Sequence, residues 1–301
     1  LNKMQNIDFV GKRRIFMTVS AVLVLAFVII SFTKGFDVGV EYSGGTELTF
    51  SINEKMNSSD IRDNLAKVKS DYVSAKIVEL KSPAEKQDRH FYQIVVKDSL
   101  PTTEEKEIFI SSLQNAFDGK DLQKEGLNDV SGAAAVELKS FAWYAVILVI
   151  ISLLLYITLR FKFAFAAGAI LALTHDILIT LGCYSLFNIE MNAAALASLL
   201  TLAGYGLNDT VVIFDRIREN SKKYRGMPID QIVNKSMNEM FTRTIITALT
   251  TFIVVFTMLV WGGKAIAPFA FGMTIGTAVS AYSTIYIASA VVISVGKKKK
   301  V

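Results

Sequence analysis

Residues 141–187 read FAWYAVILVIISLLLYITL, then Arg160-Phe161-Lys162, then FAFAAGAILALTHDILITLGCYSLF. Two long apolar runs parted by two cations decide the fold class. A bilayer core of ~30 Å needs ~20 helical residues to cross it. Inside lipid a segment must satisfy its own backbone polar groups, so each run is predicted to be a transmembrane helix. Outward from this pair the pattern recurs at Ile15–Phe32, Ala193–Phe214, Phe241–Trp261 and Phe269–Val295, giving six spans with Phe141–Leu159 and Phe163–Phe187. The chain of 301 residues is 52% hydrophobic, above the ~45–50% of soluble domains.

Charge gives the expected orientation. Lys12, Arg13 and Arg14 precede the first span, and Arg160 and Lys162 join the second to the third. Arg216, Arg218, Lys222, Lys223, Arg225 and Lys235 lie between the fourth and fifth, and Lys297–Lys300 follow the sixth. The alternate short loops hold only Lys264. Basic residues stay cytoplasmic, so both termini are predicted inside and residues 34–139 outside. The first span is expected to remain as an anchor: it exceeds the ~7–15 residues of a leader's apolar stretch and lacks a small-x-small exit. The organisation is therefore 1–33 (N-terminus and first helix), 34–139 (exported domain) and 140–301 (helices two to six). Residues 34–139 carry a net −5, and the rest of the chain +10. The basic excess thus sits around the spans, which argues against a nucleic-acid face. The single cysteine, Cys183, cannot form a disulfide within the chain.

Within 34–139, alternation predicts strands at Thr46–Ile52, Val73–Leu80, His90–Lys97 and Gly126–Val130, with a turn at Ser82-Pro83. A helix is predicted at Ser58–Val68, capped by Asn57 or Ser58. A second, to about Phe117, is opened by the capping box Thr102-Thr-Glu-Glu105. That βαββαβ order predicts an α+β, ferredoxin-like domain.

Ionisable groups inside spans are costly, ~2.5–3.5 kcal/mol on insertion scales, and mark function by default. This chain places His175 and Asp176 in the third span, Asp209 in the fourth and Arg243 in the fifth. Asp209, flanked by Asn208 and Thr210 and preceded by Gly204 and Gly206, small residues that let another helix approach, is either a structural hydrogen bond or snorkelling carboxylate, or a group that can load and release a proton as its surroundings change. Arg243 enters from the same side at a matching depth, and the two read as a switchable ion pair if their helices are neighbours. His175 and Asp176 serve either as a proton relay or as helix contacts. The Gly-rich stretch holding Glu41, Gly44 and Gly45 is either a hinge to the exported domain or a plain turn. No metal, cofactor or enzymatic centre is expected, since neither metal-ligand spacing nor a nucleophile–base pair is present.

The fourth span, GYGLNDTVVIFDRIREN (Gly204–Asn220), resembles the signature of the SecF family, the smaller subunit of the SecD–SecF complex assisting bacterial protein export. VEYSGGT (Val40–Thr46) is similar to the family's Asp-Phe-x-Gly-Gly motif, with Glu41 one methylene longer than the usual Asp. Thr174–Gly182 resembles its third span, and Ser236–Thr251 its fifth. The resemblance runs from Phe9 to Val295. It implies half of a resistance-nodulation-division transporter, completed by a SecD-like subunit in the bacterial inner membrane. It also implies work beside the SecYEG channel on a translocating unfolded polypeptide, driven by the proton motive force, with H⁺ or Na⁺ as coupling ion. The matching proton-path positions are Asp209 and Arg243. Two rival readings stay open: a small-molecule or lipid exporter of the same superfamily, and a translocon scaffold that transports nothing.

Overall fold

A computed structural model describes residues 7–80 and 88–296. Its elements run α1 (Arg13–Lys34), α2 (Val40–Ser43), β1 (Gly45–Ile52), α3 (Ser58–Val68), β2 (Lys76–Leu80), β3 (His90–Val96), α4 (Thr103–Ala116) and β4 (Gln123–Val130). There follow α5 (Gly132–Arg160), α6 (Phe163–Phe187), α7 (Ala193–Lys223), α8 (Ile229–Trp261), α9 (Ala267–Ser283), a π turn (Thr284–Ala288) and α10 (Ser289–Gly296). They form two compact units, one of Leu1–Asp37 with Tyr144–Val301, the other of Val38–Trp143.

Val38–Trp143 is built on an antiparallel sheet of order β2-β3-β1-β4. Alternation sends Leu48, Phe50 and Ile52 of β1 and Tyr92, Ile94 and Val96 of β3 to one face. There they meet Ile61 and Leu65 of α3 and Phe109 and Leu113 of α4. Burial of each such side chain is worth about 1.5–3 kcal/mol. The capping box forms as the sequence predicts: Glu105 N–H donates to Thr102 Oγ1 at 3.2 Å, and Thr102 N–H donates to Glu105 Oε2 at 3.0 Å. Asn57 holds the N-cap of α3 without a side-chain bond.

One expectation is corrected: the stretch from Val73 does not begin a strand. Ser70–Ser74 is a 3₁₀ turn and β2 starts at Lys76. Tyr72 is buried against Phe109 and donates to Asp98 Oδ2 at 3.1 Å, so the turn is fixed by a tertiary anchor. Asp98 also pairs with Lys69, whose hydrogen bond holds the Asp98 carboxyl below its usual range. Burial, then the Asp98 charge, pushes the Tyr72 phenol up to about 12. The expected turn at Ser82-Pro83 lies outside the described residues, as do Leu1 and Lys297–Lys300.

The other unit holds helices long and apolar enough to cross a membrane, six in number among the described residues, α5 being shared at its start with the sheet unit. Each covers a predicted span, and several overrun it: α5 begins at Gly132, while α7 and α8 extend to Lys223 and from Ile229. The predicted sixth span is not one regular helix, because a π turn interrupts it at Thr284–Ala288. Only 6% of the most apolar window of α1 or α5 is buried against protein, against 61% in Ala267–Val295. The α9 segment is therefore the centre, packed on α6, α7 and α8.

Candidate functional site

Asn192 starts α7, its Oδ1 accepting from Ala195 N–H at 3.0 Å. Of the two glycines that precede Asp209, Gly206 is the one at a helix crossing. A Cβ there would meet Ser280 Oγ at 2.9 Å, whereas one at Gly204 would meet nothing within 4 Å. The absent side chain lets α9 come close to α7 just before Asp209.

Asp209 is buried, 7% exposed. Its partner is Thr247 on α8, whose Oγ1 lies 3.3 Å from Oδ1 and 3.2 Å from Oδ2. The same hydroxyl stands 3.0 Å from the carbonyls of Arg243 and Thr244. It has one proton to give. When the carboxyl is ionised, Thr247 donates across to α7. When the carboxyl is protonated, Asp209 donates to Thr247, which then turns its own proton to the α8 backbone. Protonation thereby reverses the direction of the inter-helix bond and adds an intra-helix one.

The expected ion pair differs from what is found. α7 and α8 are neighbours, but Arg243 is exposed and makes no ion pair within 4.0 Å of Asp209. It stands near enough for the two charges to interact through space. The reason is helical geometry: residues 243 and 247 share one face of α8 a turn apart, and 247 is the one level with the carboxylate. Sequence reasoning missed Thr247, whose only signal was a hydroxyl four residues beyond the arginine. Asn208 points away and is exposed; Thr210 is buried, donating to Gly206 O or pairing with Thr284 Oγ1, both at 3.0 Å.

His175 and Asp176, 6% and 2% exposed, bond to each other, Nδ1 to Oδ1 at 3.0 Å. Ser283 Oγ donates to Asp176 Oδ2 at 2.8 Å, tying α6 to the end of α9. Glu41, Gly44 and Gly45 belong to the sheet unit. Gly44 (φ 74°) caps α2 and Gly45 (φ 115°) opens β1, a left-handed pair that other residues adopt only with strain. A Cβ on Gly45 would strike the Val96 carbonyl. Glu41 Oε2 is buried without a hydrogen-bond partner among the described residues.

At the other end of α7 the predicted basic residues are largely paired. Arg160 meets Asp215 at 3.0 Å, and Arg216 meets Glu239 at 2.6 Å and Glu219 at 2.7 Å. Asn220 Nδ2 donates to Ser236 Oγ at 2.9 Å, closing the α7–α8 hairpin.

Residues 109–298 match the family described as protein export membrane protein SecD/SecF, C-terminal. Over 297 residues the chain is 52% identical to the protein translocase subunit SecF of Petrotoga mobilis, covering 99% of this chain and 98% of that one. A protein of the same name from Calditerrivibrio nitroreducens is 37% identical over 98% and 96% of the two chains. Among solved structures, SecDF from Thermus, described as a translocon-associated membrane protein, superposes with a TM-score of 0.85 at 30% identity. That match covers 97% of this chain, which spans 39% of the solved one. SecDF in a super-membrane-facing form gives 0.65 at 27% identity.

Proposed function

The chain belongs to the SecD/SecF family of protein-export membrane proteins, and we propose that it is a SecF-type accessory subunit of a Sec translocase, pairing with a SecD-like chain and coupled to the proton motive force. It is a multi-pass membrane protein, with six helices among the described residues long and apolar enough to cross a membrane and relatives named SecF. The pairing is supported by likeness: this chain matches relatives named SecF over 98% and 96% of their length, and it corresponds to 39% of a solved SecDF chain. In this reading the membrane is the bacterial inner membrane, both termini are cytoplasmic, and the ferredoxin-like unit is exported beside SecYEG, where the translocating polypeptide emerges. No enzymatic step is involved.

The observation that carries the coupling is Asp209, buried among apolar helices, bonded to one hydroxyl and free of any ion pair among the described residues. An ionised carboxylate so placed is held by Thr247 and by the field of Arg243. A proton arriving from one side neutralises it, reverses the direction of the bond to α8 and lets the α7–α8 contact rearrange. One charge moved across 100 mV yields ~2.3 kcal/mol, a bias of about fiftyfold on a two-state equilibrium. Gly44-Gly45 would transmit that rearrangement to the sheet unit. H⁺ is favoured over Na⁺ by the hydroxyl exchange, which needs a proton on the carboxyl.

The test is purification of the tagged chain from its native membrane, followed by an export assay with the Asp209→Asn variant. A SecD-like chain should accompany both forms, and the variant should lose export stimulation. Recovery of this chain without such a companion removes the pairing. Full activity of the variant removes the coupling.

A further inference from the structure

A second ionisable centre lies in the core of the helical unit, on α6. His175 and Asp176 are adjacent in sequence, yet their side chains turn toward each other at 3.0 Å and both are more than nine-tenths buried. Asp176 Oδ1 faces the imidazole and Oδ2 takes the Ser283 hydroxyl. The imidazole's other nitrogen, Nε2, is buried with no hydrogen-bond partner among the described residues. Other titratable groups on the elements packed against α6 are Tyr205, Asp209 and, toward the C-terminal end, Asp215, Arg216, Arg218, Glu219, Lys222 and Lys223 on α7, Tyr282 on α9, Tyr286 on the π turn, and Arg13, Arg14 and Lys34 at the ends of α1. Tyr282 faces the imidazole at 6.1 Å between ring centroids, its hydroxyl engaged with Ser20 and the Phe16 carbonyl. Among the described residues no cation other than His175 itself lies within ion-pair distance of Asp176.

Such a pair has two compositions one proton apart. A neutral imidazole beside a carboxylate carries −1, and one added proton makes the pair neutral overall. The proton belongs to the pair rather than to either residue. Ser283 is placed to register the difference. Its hydroxyl is 2.8 Å from Asp176 Oδ2 and 3.2 Å from the Ser280 carbonyl, and it has one proton for the two acceptors. The next residue, Thr284, opens the π turn and bonds to Thr210 beside Asp209. Single π turns inside helices recur at functional sites.

We propose that His175 and Asp176 form a second proton-holding centre, linked to Asp209 through Ser283, Thr284 and Thr210 across the α7–α9 crossing. The proposal deepens the coupling reading and rests on it. A proton taken up by the pair frees Ser283 to bond back into α9. That shifts the π turn and with it Thr210, so the occupancy of one centre alters the proton affinity of the other. His175 and Asp176 are here positioning residues for the proton step at Asp209.

The experiment is infrared difference spectroscopy of the purified complex in lipid vesicles, titrated between about pH 4 and 10 while following protonated-carboxyl bands. Among the carboxyl bands that the variants alter, Asp209→Asn should remove one and leave a second, and Asp176→Asn should remove that second band. Ser283→Ala, which keeps both acids and is mild for folding, should shift the midpoints of both bands. A spectrum unchanged by Asp176→Asn, or unshifted midpoints in Ser283→Ala, overturns the proposal. If Asp209→Asn abolishes every titrating band, the second centre fails while Asp209 stands. If it changes no band, the Asp209 reading itself fails.

Discussion

The two units of this chain place their polar groups in opposite ways. In Val38–Trp143 the buried set includes Leu48, Phe50, Ile52, Ile61, Leu65 and Leu113, with a few polar groups such as Thr46 and Ser51, and no charged residue is among the buried ones described, although Glu41 buries one oxygen. In the helical unit the interior holds Thr180, Ser198, Asp209, Thr210, Thr277, Ser280 and Ser283, while Ile15, Leu148, Leu155, Ile246 and Ile253 face outward. The difference follows from the solvent. Water drives apolar groups together in the sheet unit, but lipid does not distinguish Leu on a helix from its own tails. Association in lipid therefore relies on small residues and hydrogen bonds between helices. An acidic group in that second interior is already among hydroxyls, and a change in its protonation is felt by neighbours that hold the helices together.

Substitutions can break or sharpen this contrast. Truncating the sheet core should be the most damaging to stability: Phe50→Ala is expected to cost about 3–5 kcal/mol, read by pulse proteolysis of the full-length protein. Thr247→Val, which removes the hydroxyl and keeps the volume, should sharply reduce export stimulation while leaving assembly with the partner and melting in detergent near wild type. A loss of assembly instead would make Thr247 a structural contact only. Thr102→Ala removes half of the capping box and should cost about 1 kcal/mol by the same proteolysis measurement. Leu155→Ala, on the outward face of α5 (59% exposed), should change detergent stability by no more than about 0.5 kcal/mol. A large effect there would show that this face is covered by protein rather than lipid.

The smallest expected effect is at Asp98. Its carboxyl is held low in the folded protein by Lys69, so its contribution is present above the ordinary carboxylate range and is lost as pH falls through the folded value. Asp98→Asn should therefore lower sheet-unit stability slightly near neutrality and not at all in strong acid, as a proteolysis series against pH would register.

Much of this architecture is legible in the residues because run length and flanking charge are strong, local signals. Phe163–Phe187 is predicted and observed with the same bounds. The strands and α4 follow from alternation and a capping box, each decided within a few residues. What escapes the sequence is set by tertiary neighbours. Val73 fits a strand by alternation, but burial of Tyr72 holds it in a 3₁₀ turn. Thr247 looks like Thr250, Thr257 and Thr274, which bond back to their own helices. Only the level of α7 beside it singles it out. Arg243 was legible as a rare intramembrane cation, while its separation from Asp209 depends on helix rotation, which the sequence does not encode locally. The π turn at Thr284–Ala288 has no sequence signal of its own.

The most direct test of the account is proton flux. Vesicles containing the complex and a trapped pH-sensitive dye, given an imposed pH gradient, should acidify measurably with the wild-type chain and stay at the protein-free rate with Asp209→Asn. Equal flux through the two would contradict a proton path at residue 209.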